Sequence, residues 1–426
     1  MTFFDRLVTL RTKVLPAKVV DWFARPSSVW WGFAVVHLYF LGWMASFFLN
    51  GDTFSDTEQY RQWAMDGYNP ADLDGKIISP WVYPVLAQIP IFLANIAGPS
   101  LYLLVWFLII AALNAVGLHY LTRGPRRVTG VAPAWWWLFF TAFMGFLSFA
   151  RVEGITAPIV LIALLYAAER PVVAGILLSV ATWIKVWPAA VLVPVMIASR
   201  QRVQVFFSGV AVTAVVVLGT WLSGGLAHIL DFLTNQGERG MQLEATFSTP
   251  WVWLSVFRIA GSRMADNTAI NSTEVYGPGA GVAAFLMQPL LILAALGAAI
   301  LLVRALKRGA EREELFLEGS LMMVTAFIVF NKVGSPQFII WLGPVIIAGL
   351  THDWERWKVP AALLMGIAMT TFVIYPLFYT PLIHAHPVMA AVLTTRNVLL
   401  VVLLWWSVKR TAELGRKNTA AVPSNA

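Results

Sequence analysis

Long apolar runs separated by short polar segments fill the chain from Trp30 onward. Runs of spanning or near-spanning length begin near Trp30, Pro99, Pro133, Ile155, Pro171, Pro188, Val203, Val282, Leu315, Phe338, Val359 and Pro387. A helix needs roughly 20 apolar residues to cross a hydrocarbon core, so the pattern predicts an all-α transmembrane bundle of about twelve spans. Two runs, 171–184 and 188–199, are short and meet at "WIKVWP" (183–188), which makes them half-length helices or one broken span. A further run, "YPVLAQIPIFLANIAG" (83–98), contains two prolines and directly precedes a better span. It reads as re-entrant or interfacial.

Composition agrees with this pattern. Hydrophobic residues make up 59% of the 426 and charged residues 12%, against roughly 25% charged in soluble domains. The net charge of +8 does not indicate nucleic acid, because the basic residues lie in short loops between apolar runs. With the amino terminus inside and twelve crossings, the inside segments 1–29, 122–131, 169–170, 199–203, 304–313, 352–358 and 408–426 hold 21 of the 30 Lys and Arg residues. Positive charge sets orientation in this way, so both termini are expected in the cytoplasm of a plasma-membrane protein. Counting 83–98 as a crossing would place "TRGPRR" (122–127) outside. No cysteine is present, which excludes disulfides and thiolate metal sites. The first 29 residues read as a basic, amphipathic cytoplasmic segment without a cleavable signal peptide. Residues 30–407 read as a single transmembrane domain and 408–426 as a disordered cytoplasmic tail.

The same topology places the unusual polar residues on one face of the membrane. In "FSDTEQYRQWAMDGYNP" (54–70), Tyr60, Trp63, Ala64 and Gly67 are spaced as one face of an amphipathic helix. Ser55 and Glu58 fit a capping box; Asp56 is not needed for one and is the freer to act chemically. "ARVEGIT" (150–156) sets Arg151 and Glu153 at the outer end of a span, as snorkelling anchors or as functional groups. Lys185 lies between Trp183 and Trp187, which explain an interfacial belt but not an ammonium. "QGERGMQLEATFSTPWVW" (236–253) adds Glu238, Arg239, Gln242 and Glu244 in a segment that also reads as a solvated loop. "FIVFNKVGSPQFIIWLGP" (327–344) interrupts an apolar run with Asn331, Lys332, Ser335, Pro336 and Gln337. Polar backbone at membrane depth is tolerated where it is buried in protein or lines a cavity. Lys332, Lys185, Arg151 and Arg239 on one face suit a polyanion such as a lipid-linked phosphate. His384 and His386, two apart, do not share a helix face and read as a polar loop.

These segments resemble the GT-C superfamily of integral-membrane glycosyltransferases, and most closely the polyprenyl-phosphate-mannose-dependent mannosyltransferases of actinobacteria. The resemblance rests on "SDTEQY" (55–60), Tyr83-Pro84, "WIKVWPAAVLVP" (183–194), "GERGMQLEA" (237–245) and "FNKVGSPQFIIWLGP" (330–344), in that order. It covers residues 30 to about 345. The family's acidic motif is often Asp-x-Asp, whereas Asp56-Thr57-Glu58 stands here, so no divalent cation or other cofactor is assigned. The resemblance implies a polyprenyl-phosphate sugar donor and a glycolipid or glycan acceptor, with no nucleic-acid partner. It casts Asp56 as catalytic base and Lys332, Arg239, Lys185 and Arg151 as donor-phosphate ligands. Glu58, Tyr60, Glu153, Gln242, Glu244 and Gln337 become sugar or acceptor contacts, or orient the cations. The segment 83–98 and neighbouring spans would take the isoprenoid tail. A transporter of a lipid-linked sugar would use the same cations, but needs polar groups reachable from both sides.

Overall fold

The computed structural model describes residues 16–66, 81–123, 131–234, 239–267 and 272–417. The basic segment 1–15, Gly67 of the amphipathic pattern, Glu238 and the tail from 418 lie outside the described residues. In chain order the helices are α1 (Ala17–Phe23), α2 (Pro26–Phe48), α3 (Asp56–Asp66), α4 (Gln88–Leu93), α5 (Tyr102–Arg123), α6 (Ala132–Met144), α7 (Glu153–Tyr166), α8 (Pro171–Ile184) and α9 (Ala189–Ala198). There follow α10 (Arg202–Leu222), α11 (Asp231–Thr234), α12 (Thr249–Val256), α13 (Ala280–Lys307), α14 (Arg312–Val329), α15 (Leu342–His352), α16 (Trp354–Phe372), α17 (Tyr379–Ile383) and α18 (Pro387–Lys417). A two-stranded antiparallel hairpin joins β1 (Arg263–Asn267) to β2 (Ser272–Tyr276), pairing Arg263 with Tyr276 and Asn267 with Ser272. The hairpin adds two short strands to the polar stretch after α11, and the fold remains an all-α polytopic bundle.

Each of the twelve apolar runs forms a helix, but they differ in length and burial. Among the described residues, six helices are long and apolar enough to cross a membrane by length and composition: Pro26–Phe48, Pro99–Thr122, Arg202–Leu222, Ala280–Lys307, Trp354–Leu377 and Pro387–Leu414. The apolar helices Glu153–Tyr166, Pro171–Ile184, Ala189–Ala198 and Pro336–His352 are shorter. At 1.5 Å per residue, the 14 residues of α7 extend about 21 Å, less than a hydrocarbon core. Of these, Glu153–Tyr166 and Pro336–His352 are largely interior, and the other two are buried along one side. Every residue of α15 from Leu342 to Thr351 is buried, as is nearly all of α14. By contrast α2, α10 and α13 leave Trp31, Phe206, Trp221, Phe285 and Leu293 exposed. Large apolar side chains on a membrane protein's outer face meet lipid at no desolvation cost, so long helices form the wall and short ones the filling.

Prolines and carboxylates mark the helix ends. Pro26 and Pro171 sit in the first turn of α2 and α8, where the missing N–H is no loss. The Glu311 carboxylate accepts from the backbone N–H groups of Glu313 and Glu314 to start α14, and Asp353 accepts from Arg356 to start α16. Run 83–98 folds as a 3₁₀ turn (Val85–Ala87) followed by α4, with Ile89, Phe92, Leu93 and Ile96 exposed. Six helical residues cannot cross a bilayer, which agrees with a re-entrant or interfacial segment. Helix α18 continues past residue 407 to Lys417, with Ser407 and Thr411 fully buried.

Candidate active site

Three ion pairs and a clasped loop meet at one end of the bundle. The first pair joins α3 to the segment before α7. Ser55 has a positive φ of 58° and turns the chain into α3, whose first residue is Asp56. The Asp56 carboxylate is paired with the Arg151 guanidinium, and Arg151 Nη2 donates to Ser55 Oγ at 2.9 Å. Tyr375, a further electrostatic neighbour of Arg151, stands in extended backbone between Phe372 and Tyr379, where α16 ends. Ser55 therefore serves Arg151, and the Glu58 carboxylate is held by Thr53, Arg61 and Gln62. The capping-box alternative is not what these side chains do. Glu58 faces its own helix and does not join the cluster.

The second pair lies beneath. Lys185 Nζ, at the end of α8, sits 2.7 Å from Glu153 Oε1 at the start of α7. Glu153 is fully buried, and the ammonium lies 4.7 Å from the centre of the Tyr83 ring. Tyr83 and Tyr60 link their hydroxyls at 3.0 Å. Tyr60 stacks in a closed aromatic set with Trp63 and Trp106, all buried. Helix α3 thus buries Tyr60 and Trp63, two of the four residues that the spacing set on one face, within the protein. A carboxylate with no water around it holds an ammonium far more tightly than a surface pair would, and removing one partner leaves a costly bare charge.

The third pair connects the loop after α11 to the last helix. Glu244 is 1% exposed and Arg396 2%. Arg396 Nη1 lies 3.8 Å from Glu244 Oε1, and Arg396 Nη2 donates to the Glu244 backbone carbonyl. Burial pushes the Glu244 carboxyl up to about 7, against the opposing pull of Arg396 and then Arg151.

The motif around Lys332 completes the group. Lys332 Nζ donates to the Arg239 carbonyl at 2.7 Å, and Gln242 N donates to the Lys332 carbonyl at 3.0 Å. Gln242 Oε1 accepts from Gly334 N at 2.8 Å and from Ser335 Oγ at 3.3 Å. The same loop pairs with the hairpin: Leu243 N donates to the Thr273 carbonyl and Val275 N to the Met241 carbonyl. Glu274 of β2, buried, accepts from Gly240 N at 2.8 Å. A Cβ on Gly240 would press on that carboxylate, and one on Gly334 would run into the backbone of Ala245. Both glycines permit close approach. Burial lowers the affinity of Lys332 and Arg239 for their protons, while Glu274 opposes it in both.

Of the sequence-predicted residues, Asp56, Arg151, Glu153, Lys185, Tyr60, Arg239, Gln242, Glu244 and Lys332 come together through these contacts. Gln337 is buried at the start of the 3₁₀ segment Pro336–Trp341, two residues beyond Ser335. Lys332 and Arg239 are half-exposed, whereas Arg151 and Lys185 are largely covered and committed to carboxylates. Sequence reasoning missed Glu274, Tyr375, Arg396 and Asn397. The last two had a signal, being an adjacent polar pair inside the apolar run of α18. Glu274 had none. His384 Nδ1 lies 2.8 Å from the carbonyl of Thr380, within its own turn.

No curated protein and no solved structure matches the chain. Residues 81–263, somewhat less than half of it, match Glycosyltransferase family 87. The match takes in Tyr83, Arg151, Glu153, Lys185, Arg239, Gln242 and Glu244, and leaves out Asp56, Glu274, Lys332 and Arg396. A bundle of apolar helices with a polar site at one end, together with this similarity to Glycosyltransferase family 87, supports a membrane glycosyltransferase of the GT-C type.

Proposed function

We propose that the chain transfers a mannosyl residue from a polyprenyl-phosphate-linked donor to a glycolipid or glycan acceptor on the extracytoplasmic face of the plasma membrane, inverting at C1. The observation that carries this reading is the meeting of Asp56 with Arg151, Lys185, Arg239 and Lys332, drawn from four separate loops. Breaking the C1–O bond to phosphate develops oxocarbenium character and needs a carboxylate on the opposite face to take the acceptor proton. Asp56 suits that role. Its side chain is 32% exposed while that of its partner Arg151 is 7% exposed. The guanidinium can fix the carboxylate while leaving it open to an incoming hydroxyl.

The departing phosphate needs fixed positive charge. Lys332 and Arg239 are the better placed, being half-exposed and held side by side by the Gln242 clasp. Lys185 and Arg151 add field from below. Glu153 orients Lys185, Tyr60 braces Tyr83 beside that ammonium, and Glu244 is engaged by Arg396. Gln242 sets the two loops, Gln337 is buried behind them, and Glu58 is left as an outer contact for acceptor sugars. The exposed apolar residues of α4 and its flanks offer the isoprenoid chain a route past Tyr83. Mannose as the sugar rests on the motif resemblance, and the orientation on the distribution of Lys and Arg.

The test is mannose transfer from synthetic polyprenyl-phosphate-mannose by purified variants. Asp56→Asn is expected to lose about 10²–10⁴-fold in kcat, with donor affinity retained. Wild-type turnover in that variant would remove Asp56 from the chemistry. Lys332→Met is expected to weaken donor binding in a folded protein, and unchanged donor affinity would discard its phosphate role.

A further inference from the structure

Arg396 lies outside the family match and in the middle of an apolar helix, yet all its polar contacts run to the loop that carries Glu244 or to its own neighbour. Its Nε and Nη2 donate to Asn397 Oδ1 at 3.1 and 2.8 Å. Nη2 also donates to the Glu244 carbonyl, and Nη1 faces the Glu244 carboxylate. Asn397 carries the loop's backbone by other bonds, donating to Thr249 Oγ1 at 2.9 Å and to the Ala245 carbonyl at 3.4 Å. Asn397 and the hairpin therefore hold the loop as well, and beside its hydrogen bond to the Glu244 carbonyl Arg396 supplies the charge that faces the Glu244 carboxylate. The groups facing Glu244 are Arg396 on α18, Arg151 before α7 and Tyr379 on α17. Arg151 is also the partner of Asp56. Glu153 and Glu244 also lie within electrostatic reach of Arg151, and of these Glu153 is paired with Lys185 and Glu244 with Arg396.

We infer that Arg396 is a positioning residue: by engaging Glu244 it leaves Arg151 to hold Asp56. Without Arg396, the Glu244 carboxylate draws Arg151 toward itself, and Asp56 loses the partner that aims it at the acceptor hydroxyl. This rests on the reading of Asp56 as base. The consequence concerns kcat rather than donor affinity, since Lys332 and Arg239 are clasped by Gln242 and not by Arg396.

The experiment compares wild type, Arg396→Met, Arg396→Met with Glu244→Gln, and Asp56→Asn in one transfer assay, with folding checked by detergent melting. Arg396→Met is expected to lower kcat by about tenfold or more with donor KM within about threefold, and the loss deepens as pH rises and Glu244 ionises. Glu244→Gln in the same chain should recover most of that loss, because a neutral amide no longer competes for Arg151. A folded double variant no better than Arg396→Met, or an Arg396→Met variant with wild-type kcat, overturns the inference. If Arg396→Met does not fold, the pair Arg396→Gln with Glu244→Gln is read instead; activity close to wild type supports the inference and a folded, inactive pair overturns it. Full turnover in Asp56→Asn would instead defeat the assignment of the base, and so separates the two failures.

Discussion

Gly334 shows how little room a single residue has at this site. Its N–H is bound by Gln242, and its Cα lies so close to Ala245 that no side chain fits. Gly334→Ala should push the Lys332 loop from the Arg239 loop, costing about 1–3 kcal/mol by overpacking and raising donor KM. Melting in detergent and donor titration check both effects; a variant unchanged in both would mean that the two loops need not touch. Glu244 makes a prediction about pH. Its carboxyl is pushed from 4.5 up to about 7 in the folded chain, so between those values the folded state binds more protons than the unfolded one. Stability must then fall as pH rises through that window, by up to about 3 kcal/mol for the full shift. Relative to Glu244→Gln, wild-type melting should decline from pH 4.5 to 7 and level off above it. A constant difference between the two would show that Glu244 titrates normally. Single residues were also where the sequence was least legible. Lys332 and Lys185 stood out because an ammonium in an apolar run has no bland explanation, but Glu274 stands in a short strand whose position depends on its pairing with Met241 and Gln242.

Among the elements, α14 and α18 each link two polar clusters at opposite ends. Helix α14 leads from Glu314 and Glu318 to the Lys332 loop, and α18 from Arg396 to Arg410. At the end away from the site, Arg410 approaches Glu318 at 3.6 Å and Glu314 at 3.8 Å, and Arg356 also pairs with Glu314. Glu318 is fully buried. Arg410→Met should leave it without its cation and cost about 3–5 kcal/mol of stability. The site is about 21 Å away along α18, at 14 residues and 1.5 Å each, so turnover per folded molecule should stay near wild type. An unchanged melting temperature would contradict the first expectation, and lost turnover in folded protein the second. Helix positions were readable from apolar runs because a membrane-embedded helix must be apolar along its length wherever it meets lipid or core. Their lengths were not. Whether a run crosses alone or is sheltered by longer neighbours depends on packing, so α7 looks like a weak span and proves largely buried, while α8 and α9 are buried along one side. Continuity of α18 to Lys417 likewise follows from burial of Thr411 and the cage around Arg410, which polar composition alone conceals.

The whole molecule gathers polar loops at one end and surrounds them with apolar wall. The proposed lipid-borne donor would suit such a shape, since its tail would travel within the bilayer and its phosphate would need an aqueous-edge site with buried charge around it. Orientation can be checked without removing native thiols, because the chain has no cysteine. A cysteine at His384, exposed in the turn before α18, should react with an impermeant maleimide added outside intact cells. One at Arg308, exposed after α13, should react only after permeabilisation. The opposite pattern would invert the membrane topology. The central claim is tested most directly by following both products of a defined donor in proteoliposomes containing the wild-type chain, polyprenyl-phosphate-mannose and a glycolipid acceptor. Glycosyl transfer predicts mannosylated acceptor and free polyprenyl phosphate appearing in equal amounts, with neither formed when acceptor is omitted. Intact donor crossing the bilayer, with no free polyprenyl phosphate released, would contradict it and identify a transporter.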